Sequence, residues 1–150
     1  MKDAEFAKEI QTIIDRNMQQ PERLNARLKL RLEDCCKADK KVDYLYDAEE
    51  WGLNPYGGVH GGIICSLFDT GMGIGAVALS GKMVSTADIS VSYLKPMNGR
   101  RFRFSIEYTN VGKRMIRCMG KAADVETGVV CASAMASFVT TEARAPGLQV

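Results

Sequence analysis

The chain has one histidine, one tryptophan and four prolines in 150 residues. With His60 as its sole histidine, a Ser-His-Asp triad has one possible centre, and no G-x-S-x-G elbow exists to present the serine. One imidazole among scattered acids supplies no ligand cluster, so no metal is expected. The five cysteines, Cys35, Cys36, Cys65, Cys118 and Cys131, form an odd set without a C-x-x-C pair. That excludes a disulfide framework and a zinc knuckle, and buried thiols are the expectation. Nucleotide-binding loops are missing too. There is no Walker A sequence, and Gly71-Met72-Gly73-Ile74-Gly75 falls mid-helix, without the strand or the spacing of a dinucleotide fingerprint. Repeats, low-complexity tracts and linkers are absent. No apolar run reads as long enough to span a bilayer. Met1-Lys2-Asp3-Ala4-Glu5 carries acids where a secretory signal would be basic and then apolar. A cytoplasmic protein without membrane contact is expected.

What is present suits one globular domain over residues 1–150, with 46% apolar and 25% charged residues. The net charge of +2 is unevenly spread. Between Lys95 and Lys121 stand eight basic residues against one acid, Glu107, so the rest of the chain carries a net −5. A basic segment this confined suits a compact polyanionic ligand better than a nucleic acid track, although a solvated strand face has the same composition.

Phe6, Ile10, Ile13, Ile14 and Met18 recur at helical spacing, predicting an amphipathic helix over residues 3–19 that stops before Pro21. Residues 1–23 then form an N-terminal helical extension. The leucines from Leu24 to Cys36 fit both periods. The alternation of Leu28, Leu30 and Leu32 with Lys29 and Arg31 favours a strand, with Val42, Tyr44 and Tyr46 on its hairpin partner. Gly61 to Leu79 has a single charge and no strand alternation, as in a helix buried nearly all round. Its glycines at 71, 73 and 75 each cost roughly 1 kcal/mol relative to alanine. They imply close approach of a sheet or room for a ligand. Strands are predicted at 84–94, 101–111, 115–125 and 129–140, separated by turn signals at hairpin spacing. They make an antiparallel meander whose apolar face the buried helix covers. The fold class is therefore α+β: a curved antiparallel sheet of about six strands wrapped around one long helix.

The chemistry gathers in the sixteen residues from Asn54 to Asp69. Gly61 and Gly62 fall where the central helix begins, so their N–H groups lack intrahelical partners and sit at the positive end of the dipole. Aimed at a carbonyl, such groups stabilise the charge that develops on its oxygen. Asp69 lies eight residues further on, roughly 12 Å along a helix axis, beyond the reach of its side chain. The two can serve one carbonyl only across a two-fold dimer with antiparallel helices. An acid so placed is a general base for water or a nucleophile. Each piece also has a plainer reading: a lone histidine is more often structural, and Ser66 or Thr70 could satisfy Asp69.

Asn54…Gly58-Val59-His60-Gly61-Gly62 through Asp69, then Thr86-Ala87-Asp88-Ile89-Ser90-Val91-Ser92-Tyr93-Leu94-Lys95-Pro96, resembles the hotdog-fold acyl-CoA thioesterases of the phenylacetate-degradation (PaaI-like) and 4-hydroxybenzoyl-CoA type. The resemblance runs over residues 25–141. It implies that Asn54 positions the thioester or water, that His60 orients the site and that the Gly61 N–H polarises the carbonyl. It further implies that Asp69 of a second subunit is the base or nucleophile and that Thr86 holds the water or the acid. Coenzyme A would lie by Gly62, Lys95, Gly112, Lys113 and Arg114, and the acyl group by Ile64, Phe68, Met72 and Met83. Relatives are usually dimers of dimers. No cofactor is called for, because coenzyme A is part of the substrate, and no nucleic acid partner is indicated. The alternatives are a non-catalytic acyl-CoA sensor and a hydratase or dehydratase on the same fold.

Overall fold

A computed structural model describes residues 3–147. Helix α1 (Ala4–Met18) starts where the Asp3 carboxylate accepts the Phe6 N–H at 3.1 Å, a side-chain cap for one of the first turn's free donors. Its apolar stripe of Phe6, Ile10 and Ile14 is buried, with α1 in contact with the long central helix and the first strand.

The segment expected as one strand from Leu24 to Cys36 is two elements: helix α2 (Leu24–Leu28) and strand β1 (Arg31–Cys36). Between them Lys29 takes a left-handed conformation with φ of 51°. Such a break usually falls on glycine or asparagine, so nothing in the residue types marked it. Strand β2 (Lys41–Asp47) pairs antiparallel with β1 as expected. A short 3₁₀ turn (Glu50–Gly52) leads into helix α3 (Gly61–Ser80), which ends on Gly81 in the left-handed region at φ of 71°. Strands β3 (Lys82–Tyr93), β4 (Arg101–Val111), β5 (Met115–Asp124) and β6 (Val130–Arg144) complete the chain.

The sheet has six strands in the order β1-β2-β4-β5-β6-β3, every neighbouring pair antiparallel. It is the expected architecture with one correction. The last four strands are not a simple meander, because β3 pairs with β6 and lies at the sheet's edge. The Pro96-Met97-Asn98-Gly99 segment is a crossover rather than a hairpin turn. It is held there by buried Met97, whose carbonyl accepts the Val59 N–H at 2.9 Å.

Contrary to the expectation from sequence, α3 is long and apolar enough to cross a membrane by length and composition. Most of it is buried in this fold, as a core helix is. Leu67, Phe68 and Met72 meet the sheet, and the Phe68 and Phe104 rings pack edge to face at 5.0 Å. The mid-helix glycines now have a cause. A Cβ at Gly71 would lie 3.1 Å from the Tyr44 ring, and one at Gly75 would lie 2.1 Å from the Tyr108 hydroxyl. Tyr44 Oη donates to the Gly71 carbonyl at 2.7 Å, and Tyr108 Oη to the Met72 carbonyl at 2.5 Å. The two tyrosines reach under the helix only because those side chains are missing. Gly73 is different: its Cβ would meet only Phe138, at 3.6 Å.

Candidate active site

The loop before α3 is tied by its own side chains. Asn54 Oδ1 accepts the N–H groups of Tyr56 (2.9 Å) and Gly58 (3.2 Å), and the Asn54 N–H returns to the Gly58 carbonyl at 2.7 Å. Asn54 thus holds the loop through its carbonyl oxygen and leaves its amide nitrogen without an acceptor among the described residues. His60 is the N-cap of α3, its Nδ1 accepting the Gly62 N–H at 2.9 Å. The plainer reading of the lone histidine therefore holds for one of its nitrogens. It also distinguishes the two glycines: the Gly62 N–H is taken, whereas the Gly61 N–H has no acceptor among the described residues.

Sequence reasoning gave Tyr93 no task. Its hydroxyl donates to the Gly61 carbonyl at 2.7 Å, and its ring lies beside Gly61, about 3.5 Å from where a Cβ would be. The residue comes from the end of β3, so the crossover strand clamps the helix start. Burial, then the nearby Cys65 thiol, pushes the Tyr93 hydroxyl pKa up, and it stays protonated as a donor. The position of Tyr93 in the Tyr-Leu-Lys-Pro run was visible, but its contact across 32 residues was not. Asn54, Gly61, Ile64, Tyr93, Lys95 and Met97 are among the residues that line a cleft of about 510 Å³.

Asp69 is elsewhere. Its Oδ1 accepts from Thr86 Oγ1 at 2.7 Å, so the neighbour that satisfies the acid is Thr86. Ser66 donates instead to the Gly62 carbonyl and Thr70 to Asn25. Asp69 Oδ2 has no hydrogen-bond partner among the described residues. Asp69 and Thr86 line a separate pocket of about 220 Å³, with Gly73, Val77, Met83 and Phe138. Gly61, Cys65, Asp69 and Gly73 follow one another at four-residue intervals, a single row along the less buried side of α3. Burial and then the Asp69 charge raise the Cys65 thiol pKa, which makes it a poor nucleophile beside the acid. Cys35, Cys118 and Cys131 are buried as expected, but Cys36 and Cys65 are only partly so.

Two groups of expected ligand residues are placed differently from the sequence reading. Phe68 and Met72 are fully buried against the sheet and line neither pocket. The expected acyl-lining set keeps Ile64, in the donor cleft, and Met83, in the acid pocket. Within one chain Lys95 lies at the opposite end of the sheet from Gly112, Lys113 and Arg114. The Lys95 N–H bonds to the Cys131 carbonyl, while Lys113 and Arg114 hold Thr140. Nine residues of β6 part Cys131 from Thr140, about 30 Å along a strand. The rest of the basic segment is partly a strand face: Arg101 pairs with Asp47 at 2.7 Å, and Arg103 with Glu33. Lys95, Lys113 and Arg114 have no ion pair among the described residues. No three His, Cys, Asp or Glu side chains gather as a metal site among the described residues.

A free helix-start N–H under a tyrosine clamp and a hydroxyl-held carboxylate thus stand on the same helix. The family model of the thioesterase superfamily matches residues 56–138, which include the helix start, Asp69 and Thr86. The chain belongs to the thioesterase superfamily. Among curated proteins none matches its sequence. Solved structures give the same fold. A thioesterase family protein from Silicibacter pomeroyi superposes with a TM-score of 0.77 at 21% identity, over 89% of this chain and 96% of its own. The PaaI protein of the E. coli phenylacetic acid degradation operon gives 0.79 at 13% identity, over 93% and 96%. A Streptococcus mutans protein bound to acetyl CoA gives 0.70 at 19%, over 78% and 92%.

Proposed function

We propose that this thioesterase-superfamily protein hydrolyses acyl-CoA thioesters at two composite sites in a two-fold dimer. The observation that carries this reading is the separation within one chain of a free donor, the Gly61 N–H, from a carboxylate with one free oxygen, Asp69. They line different pockets and stand roughly 12 Å apart along α3. An antiparallel copy of α3 brings the partner's acid to this chain's donor, and symmetry makes the reverse site at once. Cys65, midway between them, then falls on the two-fold axis. The unpaired edge of β3 supports the same arrangement, since a long exposed edge strand is a template for pairing with another chain.

The thioester carbonyl oxygen accepts from the Gly61 N–H, whose donor is fixed by the His60 cap and the Tyr93 clamp. Asn54 offers its amide nitrogen to the thioester or to water. Asp69 of the partner, oriented through Oδ1 by Thr86, uses Oδ2. As a base it takes a proton from water; hydroxide adds to the carbonyl carbon, and the oxyanion forms at Gly61. Collapse breaks the C–S bond, and the thiolate of CoA regains the proton from Asp69. As a nucleophile the same oxygen displaces the thiolate of CoA to form an anhydride, which water then opens at the Asp69 carboxyl carbon. Single turnover in ¹⁸O-water distinguishes the two, because only the second route labels the Asp69 carboxylate.

The dimer also resolves the basic residues. With β3 antiparallel to its copy, Lys95 of one chain approaches the partner's Val84 and Thr140 end, where Lys113 and Arg114 project. The phosphates of CoA are held between the two chains. A dimer of dimers and a cytoplasmic location complete the proposal. The direct test is release of CoA from a panel of short, medium, long and aromatic acyl-CoAs. Turnover of at least one supports the reading; tight binding without any release identifies a sensor, and addition of water to an enoyl-CoA identifies a hydratase.

A further inference from the structure

We infer that the acyl group enters the pocket beside Asp69 and that a plug supplied by the N-terminal helices limits its length. This rests on the hydrolytic reading above. A carbonyl carbon attacked next to Asp69 has the 220 Å³ pocket on its far side. A cavity of ~150 Å³ admits benzene, so this one admits about eight or nine carbons by proportion. Its near walls, Gly73, Val77, Met83 and Phe138, come from the thioesterase core.

The far wall does so only in part. It is made by Asn17 of α1 and Asn25 of α2 together with Thr70 and Ile74, and Thr70 Oγ1 donates to Asn25 Oδ1 at 3.2 Å. Directly behind the same four residues lies a void of about 10 Å³, closed by Ile14, Met18 and Leu30, scarcely room for one water. Those three residues in turn line a groove of about 540 Å³ between α1 and the β1–β2 hairpin. Two layers of side chains therefore part the acid pocket from the outer groove, Asn17, Asn25, Thr70 and Ile74 first and Ile14, Met18 and Leu30 behind them. The N-terminal helices, otherwise without a task in the chemistry, supply Asn17 and Asn25 to the first layer and Ile14 and Met18 to the second.

The wild-type protein should favour acyl groups of up to about eight carbons. Opening both layers with Asn17→Ala, Thr70→Ala and Met18→Ala together joins the pocket to the groove. The ratio of kcat/KM for dodecanoyl-CoA to that for hexanoyl-CoA should then rise tenfold or more, since burying each further methylene is worth roughly a factor of four. Gly73→Val fills the pocket from the opposite side, so the ratio of octanoyl-CoA to acetyl-CoA should fall by about tenfold; it tests the claim even if the triple variant does not fold. Folded variants whose chain-length ratios stay at the wild-type values overturn the plug while leaving thioester hydrolysis standing. A wild-type protein that releases CoA from none of these substrates overturns the hydrolytic reading, and the plug with it.

Discussion

The two sides of α3 use the same residue types to opposite ends. On the sheet side Gly71 and Gly75 vanish beneath Tyr44 and Tyr108, whose hydroxyls end on helix carbonyls. Both of those hydroxyls are satisfied within the chain. On the other side the row Gly61, Cys65, Asp69 and Gly73 leaves an N–H, a carboxylate oxygen and open space. The first side is finished within one chain, whereas the proposed dimer would make the second a site by covering it with another chain. A glycine in an apolar helix therefore says little by itself, and the neighbour that fills or leaves its space decides whether it serves packing or chemistry.

The largest effect that separates the sides comes from the acid. Asp69→Asn should lower kcat by about 10³-fold or more, at the upper end of what a positioned acid–base group contributes, while CoA binding measured by calorimetry survives. Gly61→Pro should follow with a loss of about 10²- to 10³-fold, the usual consequence of removing one oxyanion donor. Proline is tolerated at the first helical position, and His60 before it is already extended at ψ of 136°. The variant deletes an N–H without breaking the helix, so its circular dichroism and Tm should match the wild type.

Packing and chemistry separate again when one substitution is made on both sides. Gly75→Ala drives a methyl into the Tyr108 hydroxyl and should destabilise by about 1–3 kcal/mol in urea unfolding, as overpacked cores do. Gly73→Ala meets only Phe138 at ordinary contact distance, and the gain in helix propensity should make it neutral or stabilising by up to about 1 kcal/mol.

Alkali acts on the closed side. Burial pushes the Cys118 thiol up from 9.0 to about 12 and raises the Tyr44 and Tyr108 hydroxyls as well. These groups keep their protons in the folded state while the unfolded chain loses them. The stability they contribute is fully present below the unfolded values near 9 and 10, and is lost as pH rises toward the folded ones. For each group the loss is about 1.4 kcal/mol per pH unit within its window. Unfolding midpoints measured from pH 8.5 to 11 should fall, most steeply above pH 10; a flat profile would show that the side is not sealed.

The helix, its sheet and the separation of Gly61 from Asp69 were legible because they rest on period and rise alone. The break at Lys29 was not, since a lysine in the left-handed region carries no signal that glycine would. The place of β3 was also hidden. Short turns suggested successive pairing, and only a buried Met97 and its carbonyl bond to Val59 explain the crossover. That misplacement concealed the clamp of Tyr93 on Gly61 and the distance between Lys95 and Arg114. Asn54 and His60 were legible as neighbours of the helix start, but their bonds to Tyr56, Gly58 and Gly62 depend on loop geometry that spacing does not give.

Subunit complementation tests the central claim most directly. Asp69→Asn and Gly61→Pro chains, each inactive alone, are unfolded together and refolded as a mixture. Half of the random dimers pair unlike chains, and each of these holds one site with an intact donor from one chain and an intact acid from the other. The mixture should recover about a quarter of wild-type turnover. A mixture no more active than its parents would place donor and acid in the same chain and contradict the account.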